Sequence, residues 1–128
     1  HDALPICSHP HVIQPIKYFN TKNAKLDSGL VAFSLGNFIS NQQWRYSDAG
    51  IILNIDLEKN IFTNDIRIKN FHITPTWVFR GKTDKGVEHL ILSESTDYKN
   101  IFKLTTEEKR RKIEAFEDTR EVVGRKID

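Results

Sequence analysis

The 128 residues are 38% hydrophobic and 28% charged, with 6 Gly and 4 Pro, which excludes intrinsic disorder and collagen-like structure. Nineteen basic against seventeen acidic residues leave a net charge of +2, too small to make a field for nucleic acid or anionic lipid. The apolar run Leu30-Val31-Ala32-Phe33 falls far short of the roughly 18–20 residues that span a bilayer.

Cys7 has no second cysteine to pair with, so the fold must rest on packing and hydrogen bonds. The chain opens on His1-Asp2 and has no methionine, and it is therefore expected to be a processed product or a piece of a longer polypeptide.

In chain order, residues 4–16 carry three of the four prolines, which forbids helix and predicts a structured loop. Tyr18 to Ser28 is polar and reads as a surface connection. Gly29 to Ser34 is a short apolar run with the pattern of a strand buried on both faces, and Gly36 then turns the chain. Such a strand should leave an apolar surface or sheet edge to be covered by another polypeptide segment.

Gly50 to Leu57 alternates, with Ile51, Leu53, Ile55 and Leu57 on one face. Alternation returns in Ile61–Lys69, in Phe71–Arg80 around an interruption at Pro75, and in Val87–Ser93, so residues 50–93 predict an antiparallel meander. Thr105 and Glu108 have capping-box spacing and Gly124 suits a left-handed cap, predicting a helix over Thr106–Val123. Its basic run Lys109–Lys112 reads as a solvated face, with Glu107–Arg111 and Glu108–Lys112 as i,i+4 pairs. The class is thus α+β, mostly antiparallel strands plus a C-terminal helix, divided as residues 1–104 and 105–128.

Three features carry chemistry. His9 and His11 flank Pro10, and in an extended segment their imidazoles would project to one side, a pair able to grip Zn, Mn or Fe. Two loop histidines satisfied by backbone carbonyls are the alternative. Cys7 extends the pattern to C-x-H-x-H, although a lone cysteine is more often a small buried hydrophobe. In Ser34-Leu35-Gly36-Asn37-Phe38 a strand ends in a glycine turn that presents Asn37, whose amide could ligate, orient an oxyanion, or hold the histidine loop. His72 and His89 lie in strand patterns and read as structural. Trp44 and Trp77 read as packing residues, Trp44 with a possible place beside Arg45 in a groove.

Taken in order, Ser8-His9-Pro10-His11-Val12-Ile13-Gln14-Pro15, then Gly29 to Phe38, then Arg45–Gly50 running into the next strand, resemble the C-terminal end of the CapA family. These are bacterial poly-gamma-glutamate capsule synthesis proteins of the calcineurin-like metallophosphatase superfamily. The resemblance covers residues 2–57 best. It implies that this chain is part of a two-sheet α/β sandwich whose upstream portion, or another chain, completes it.

The resemblance further implies that His9 and His11 are ligands of a centre holding two divalent ions (Mn, Zn or Fe), with Ser8 where a Gly or His is frequent. Asn37 would support that site. Gln14, Arg45 and Asp48 match positions often polar in the family, and Arg45 is the residue best suited to an anionic group, its alternative being a surface pair with Asp48. The family's earlier Asp, Asn-Glu and Asn-His elements have no counterpart here. The implied activity is phosphoester hydrolysis on a phosphoester or anionic polymer substrate, in an extracytoplasmic, membrane-associated bacterial setting without nucleic acid. A non-catalytic polymer-binding or scaffolding component of a capsule synthesis complex is the competing expectation.

Overall fold

The computed structural model describes residues 6–7, 9–20, 28–99 and 102–124. Five strands and one helix follow in chain order: β1 (Ile16–Asn20), β2 (Ser28–Ala32), β3 (Ala49–Lys59), β4 (Ile66–Thr83), β5 (Gly86–Leu92) and α1 (Thr106–Val123). β1 and β2 form an antiparallel two-stranded sheet, and β3, β4 and β5 an antiparallel three-stranded sheet with β4 central. The α+β class, with antiparallel strands and a C-terminal helix, stands.

Several boundaries differ from expectation for identifiable reasons. β1 takes up Ile16–Asn20, part of which was expected in a polar surface connection, and pairs Ile16 with Ala32 and Asn20 with Ser28. Residues 21–27 of that connection, like Ser8, lie outside the described residues. In β2 only one face is fully covered: Leu30 and Ala32 are buried, Val31 is half-buried, and Phe33 just beyond is exposed.

Residues 60–65 form a turn instead of a strand, with Ile61 and Phe62 in solvent. The Asn60 carboxamide oxygen accepts from the Phe62 and Thr63 N–H groups, the local bonding that lets Asn compete with a ladder.

Pro75 does not interrupt β4. It opposes Ile51, whose own N–H turns away from β4 to the Leu35 carbonyl at 2.9 Å. Pro75 therefore occupies a register position where no N–H is required toward β3. On its other edge β5 begins pairing only at Trp77, so nothing there lacks a donor.

The core joins Ile51, Ile73, Trp77, Phe79 and Leu92 of the larger sheet to Phe102, Leu104, Ala115 and Phe116, so α1 packs on the sheet through its Ala115 and Phe116 side. Phe79 and Phe102 stack with ring centroids 4.3 Å apart. The helix begins with the expected capping box: the Thr105 side chain accepts from the Glu108 N–H, and the Glu108 carboxylate accepts from the Thr105 N–H. Among the described residues no helix is long and apolar enough to cross a membrane.

Two junctions tie the sheets together and build the site. Ile13 bridges Leu35, and Gly36 bridges Gly50, so the chain from 35 to 37 runs along the outer edge of β3. The Cys7 N–H donates to the Ala32 carbonyl and its carbonyl accepts from Leu35, placing residues 6–7 parallel to the segment after β2.

Candidate functional site

The histidine loop is a turn, not the extended segment expected. His11 has φ 57°, in the left-handed region that residues other than glycine enter sparingly and chiefly at functional or tightly constrained positions. Buried Ile13 and the Gln14 N–H bond to the Ser34 carbonyl anchor the loop's far end. The His9 and His11 rings lie 6.5 Å apart between centroids, tilted by 49°.

Asn37 is carried to this loop by Gly36, at φ 72°, and by its own N–H bond to the Ala49 carbonyl. His11 Nδ1 and Asn37 Oδ1 are 2.8 Å apart. The two motifs, 26 residues apart in sequence, therefore meet.

The proton's position follows from a third group. Asn37 Nδ2 donates to the Ser47 carbonyl at 2.8 Å, and a carbonyl can only accept. That bond turns the amide oxygen toward His11, so Nδ1 must be the protonated nitrogen in neutral His11. Nε2 is left with its lone pair, the form in which imidazole binds a metal or accepts a proton. Asn37 Nδ2 also donates to Gln42 Oε1 at 3.0 Å.

Gln14 is half-buried and held by its backbone N–H bond to the Ser34 carbonyl. Arg45 and Asp48 take separate partners. Exposed Arg45 forms a two-pronged bond with Asp118, Nε to Oδ2 at 3.0 Å and Nη2 to Oδ1 at 2.8 Å, with Glu114 3.5 Å from Nη1. The hydrogen bond to Asp118 raises the Arg45 guanidinium above its ordinary pKa, so this fork is already spent on a carboxylate.

Asp48 is buried, and its Oδ2 accepts from Trp77 Nε1 at 2.9 Å and from Arg111 Nη2 at 2.7 Å. Arg111 thus leaves the expected pairing with Glu107 because a buried carboxylate requires a counter-charge, while Glu107 pairs with Arg110. Glu108 serves the cap instead of Lys112, whose ammonium lies 4.6 Å from the Tyr98 ring centre.

Cys7 is exposed, not a buried hydrophobe, and it does not join His9 and His11 in a three-donor cluster. His89 Nε2 meets Asn41 Oδ1 at 2.7 Å, tying β5 to the 38–43 loop. Trp77 is packing, as expected, whereas Trp44 is exposed. Sequence reasoning missed Ser47 and Gln42, since the signal lies in backbone and amide partners that only folding assembles.

A groove of about 590 Å³ is lined by His11 and Asn37 together with Leu35, Phe38, Ile39, Ile52 and Leu53. Phe38, Ile39 and Ile52 are exposed large hydrophobics. For a divalent ion the described donors fit in part. His11 offers a correctly prepared nitrogen and His9 a second ring nearby, but among the described residues no group of three or more His, Cys, Asp or Glu assembles.

No curated protein and no solved structure matches the chain. Residues 4–42, which contain His9, His11, Gln14 and Asn37 but neither Arg45 nor Asp48, match the family model described as bacterial capsule synthesis protein PGA_cap. Over those residues the chain is similar to bacterial capsule synthesis proteins.

Proposed function

We propose that this chain is the C-terminal portion of a poly-gamma-glutamate capsule synthesis protein, and that it supplies His9 and His11 to a metallophosphatase-type centre of two divalent ions. Mn, Zn and Fe all suit imidazole. The carrying observation is the Ser47–Asn37–His11 relay, which protonates Nδ1 and clears Nε2. A histidine satisfied only for packing has no need of such orientation.

When bound, the ions supply Lewis-acid polarisation of a phosphoryl oxygen and a hydroxide at neutral pH, the chemistry of phosphoester hydrolysis. The chain's own part is to orient two imidazoles, to fix the His11 proton on Nδ1 through Asn37, and to keep one wall of the site apolar through Phe38 and Ile39. Gln14, held by its backbone to the Ser34 carbonyl, is the further polar residue this loop would offer to the site. Arg45 would reach an anionic substrate only by exchanging Asp118 for it.

Calorimetric titration of Mn²⁺ and Zn²⁺ into the chain, beside a His9→Ala, His11→Ala double variant, tests the reading. Saturable binding that the double variant loses is expected. Equal binding by both, or no binding by a folded chain, overturns the assignment of these residues as ligands.

The second reading is a non-catalytic polymer-binding or scaffolding component. The exposed Phe38–Ile39–Ile52 surface favours it, since such a surface suits docking of another polypeptide. Hydrolysis of an aryl phosphate by the longer polypeptide, lost in the same double variant, separates the two.

A further inference from the structure

We infer that Arg111, half-buried on α1, is a positioning residue for His11. Its guanidinium nitrogen Nη2 does two things at once: it donates to the backbone carbonyl of Gln43 and to the Asp48 carboxylate. Those acceptors are the two ends of the 43–48 loop, so one nitrogen cinches the loop shut.

Inside that loop the Ser47 N–H and hydroxyl both donate to the Trp44 carbonyl, which leaves the Ser47 carbonyl as the group that faces Asn37. The remaining bonds at Asp48, from Trp77 Nε1 to its carboxylate and from the Val78 N–H to its carbonyl, hold only the loop's end toward β3. Among the described residues the Gln43 carbonyl is bonded by Arg111, while Arg45 within the loop is held to Asp118 of the same helix.

The consequence is a relay from helix to imidazole. Arg111 sets the loop, the loop sets the Ser47 carbonyl, that carbonyl sets the Asn37 amide, and the amide oxygen sets the His11 tautomer. With the relay opened, Asn37 Nδ2 keeps only Gln42 Oε1 as its acceptor, the amide is held less firmly, and His11 shifts toward the Nε2–H form that an unconstrained imidazole prefers, which removes the lone pair from Nε2. The inference rests on the His11–Asn37 bond and not on what His11 binds. A failed metal titration beside a responsive tautomer would overturn the functional reading alone.

Imidazole ¹⁵N spectra of the full chain, at a pH where histidine is neutral, provide the test. The wild type is expected to show His11 protonated on Nδ1, and Arg111→Met to lose that signature while exposed His72 keeps its own. Arg110→Met, which removes a neighbouring exposed cation paired with Glu107, leaves His11 as in the wild type. An Arg111→Met chain that retains its helical signal and its Trp77 indole resonance, yet keeps the wild-type His11 tautomer, overturns the inference. So does a wild type protonated on Nε2.

If Arg111→Met fails to fold, Arg111→Lys is read in its place. Its ammonium sits on a shorter stem than the Arg111 Nη2 nitrogen and falls short of holding Gln43 and Asp48 together, so the Nδ1–H signature is again expected to weaken, and an unchanged one overturns the inference.

Discussion

Gly50 lies so close to Asn37 that a Cβ on it would stand 2.3 Å from the Asn37 carbonyl oxygen. This contact is the seam where the segment carrying Asn37 meets the edge of β3, and it admits no side chain. Gly36, bridged to Gly50 across the seam, would bring a Cβ to 2.5 Å from the Ala49 carbonyl oxygen.

Gly50→Ala should therefore push the two backbones apart and cost more than about 1 kcal/mol, the direction expected when alanine meets an incompatible backbone site. Urea unfolding followed by circular dichroism checks this. Because the displaced segment carries Asn37, the His11 signature should be disturbed in the same variant, and a fully stable Gly50→Ala with an intact signature would contradict the close seam.

Asn37→Ala strips partners from the Ser47 carbonyl and from His11 Nδ1 together. Leaving a buried polar group unpaired costs about 1–3 kcal/mol, and losing the group that orients a metal-binding histidine lowers metal affinity by about 10–100-fold. Asn37→Asp separates the two effects. It still accepts from His11 but turns an acceptor on Ser47, so it should lose stability while keeping the Nδ1–H tautomer. Thermal melts and calorimetric titration of both variants are the measurements.

The hairpin of β3 and β4 offers a pH prediction. Arg67 donates two hydrogen bonds to Glu58 Oε2, and this bonding, with the charge of Arg67, holds the Glu58 carboxyl below its ordinary value. A depressed folded-state pKa means stability that is fully present above the unfolded value of about 4.3 and lost as pH falls through the folded one. The pair is solvent-exposed, so the effect on global stability is small. A carboxyl titration by NMR should find Glu58 below the ordinary glutamate range in the wild type and back within it in Arg67→Gln.

The elements legible in the sequence are those whose causes are local. The capping box of Thr105 and Glu108 needs four consecutive residues, and α1 spans Thr106–Val123 as read. β3 announces itself by alternation, with Ile51 buried and Asn54 and Asp56 exposed. β1 was hidden because its lysine and asparagine mask a strand that exists by pairing with β2, a partner reached across residues 21–27. The pairing on the helix was misread for a related reason: i,i+4 spacing lists which partners a side chain can reach along α1, but not the buried Asp48 that competes for Arg111.

By itself, then, the sequence determined the α+β class, the helix and its cap, the meander, and the two motifs that carry the candidate chemistry. Tertiary structure alone decided that His11 and Asn37 touch, that Ser47 orients the amide between them, and that Arg45 and Asp48 serve separate networks. The physical reason is that propensity and periodicity act over a few residues. A buried amide or carboxylate instead takes whichever donor or acceptor the folded backbone brings within about 3 Å, wherever in the chain it originates.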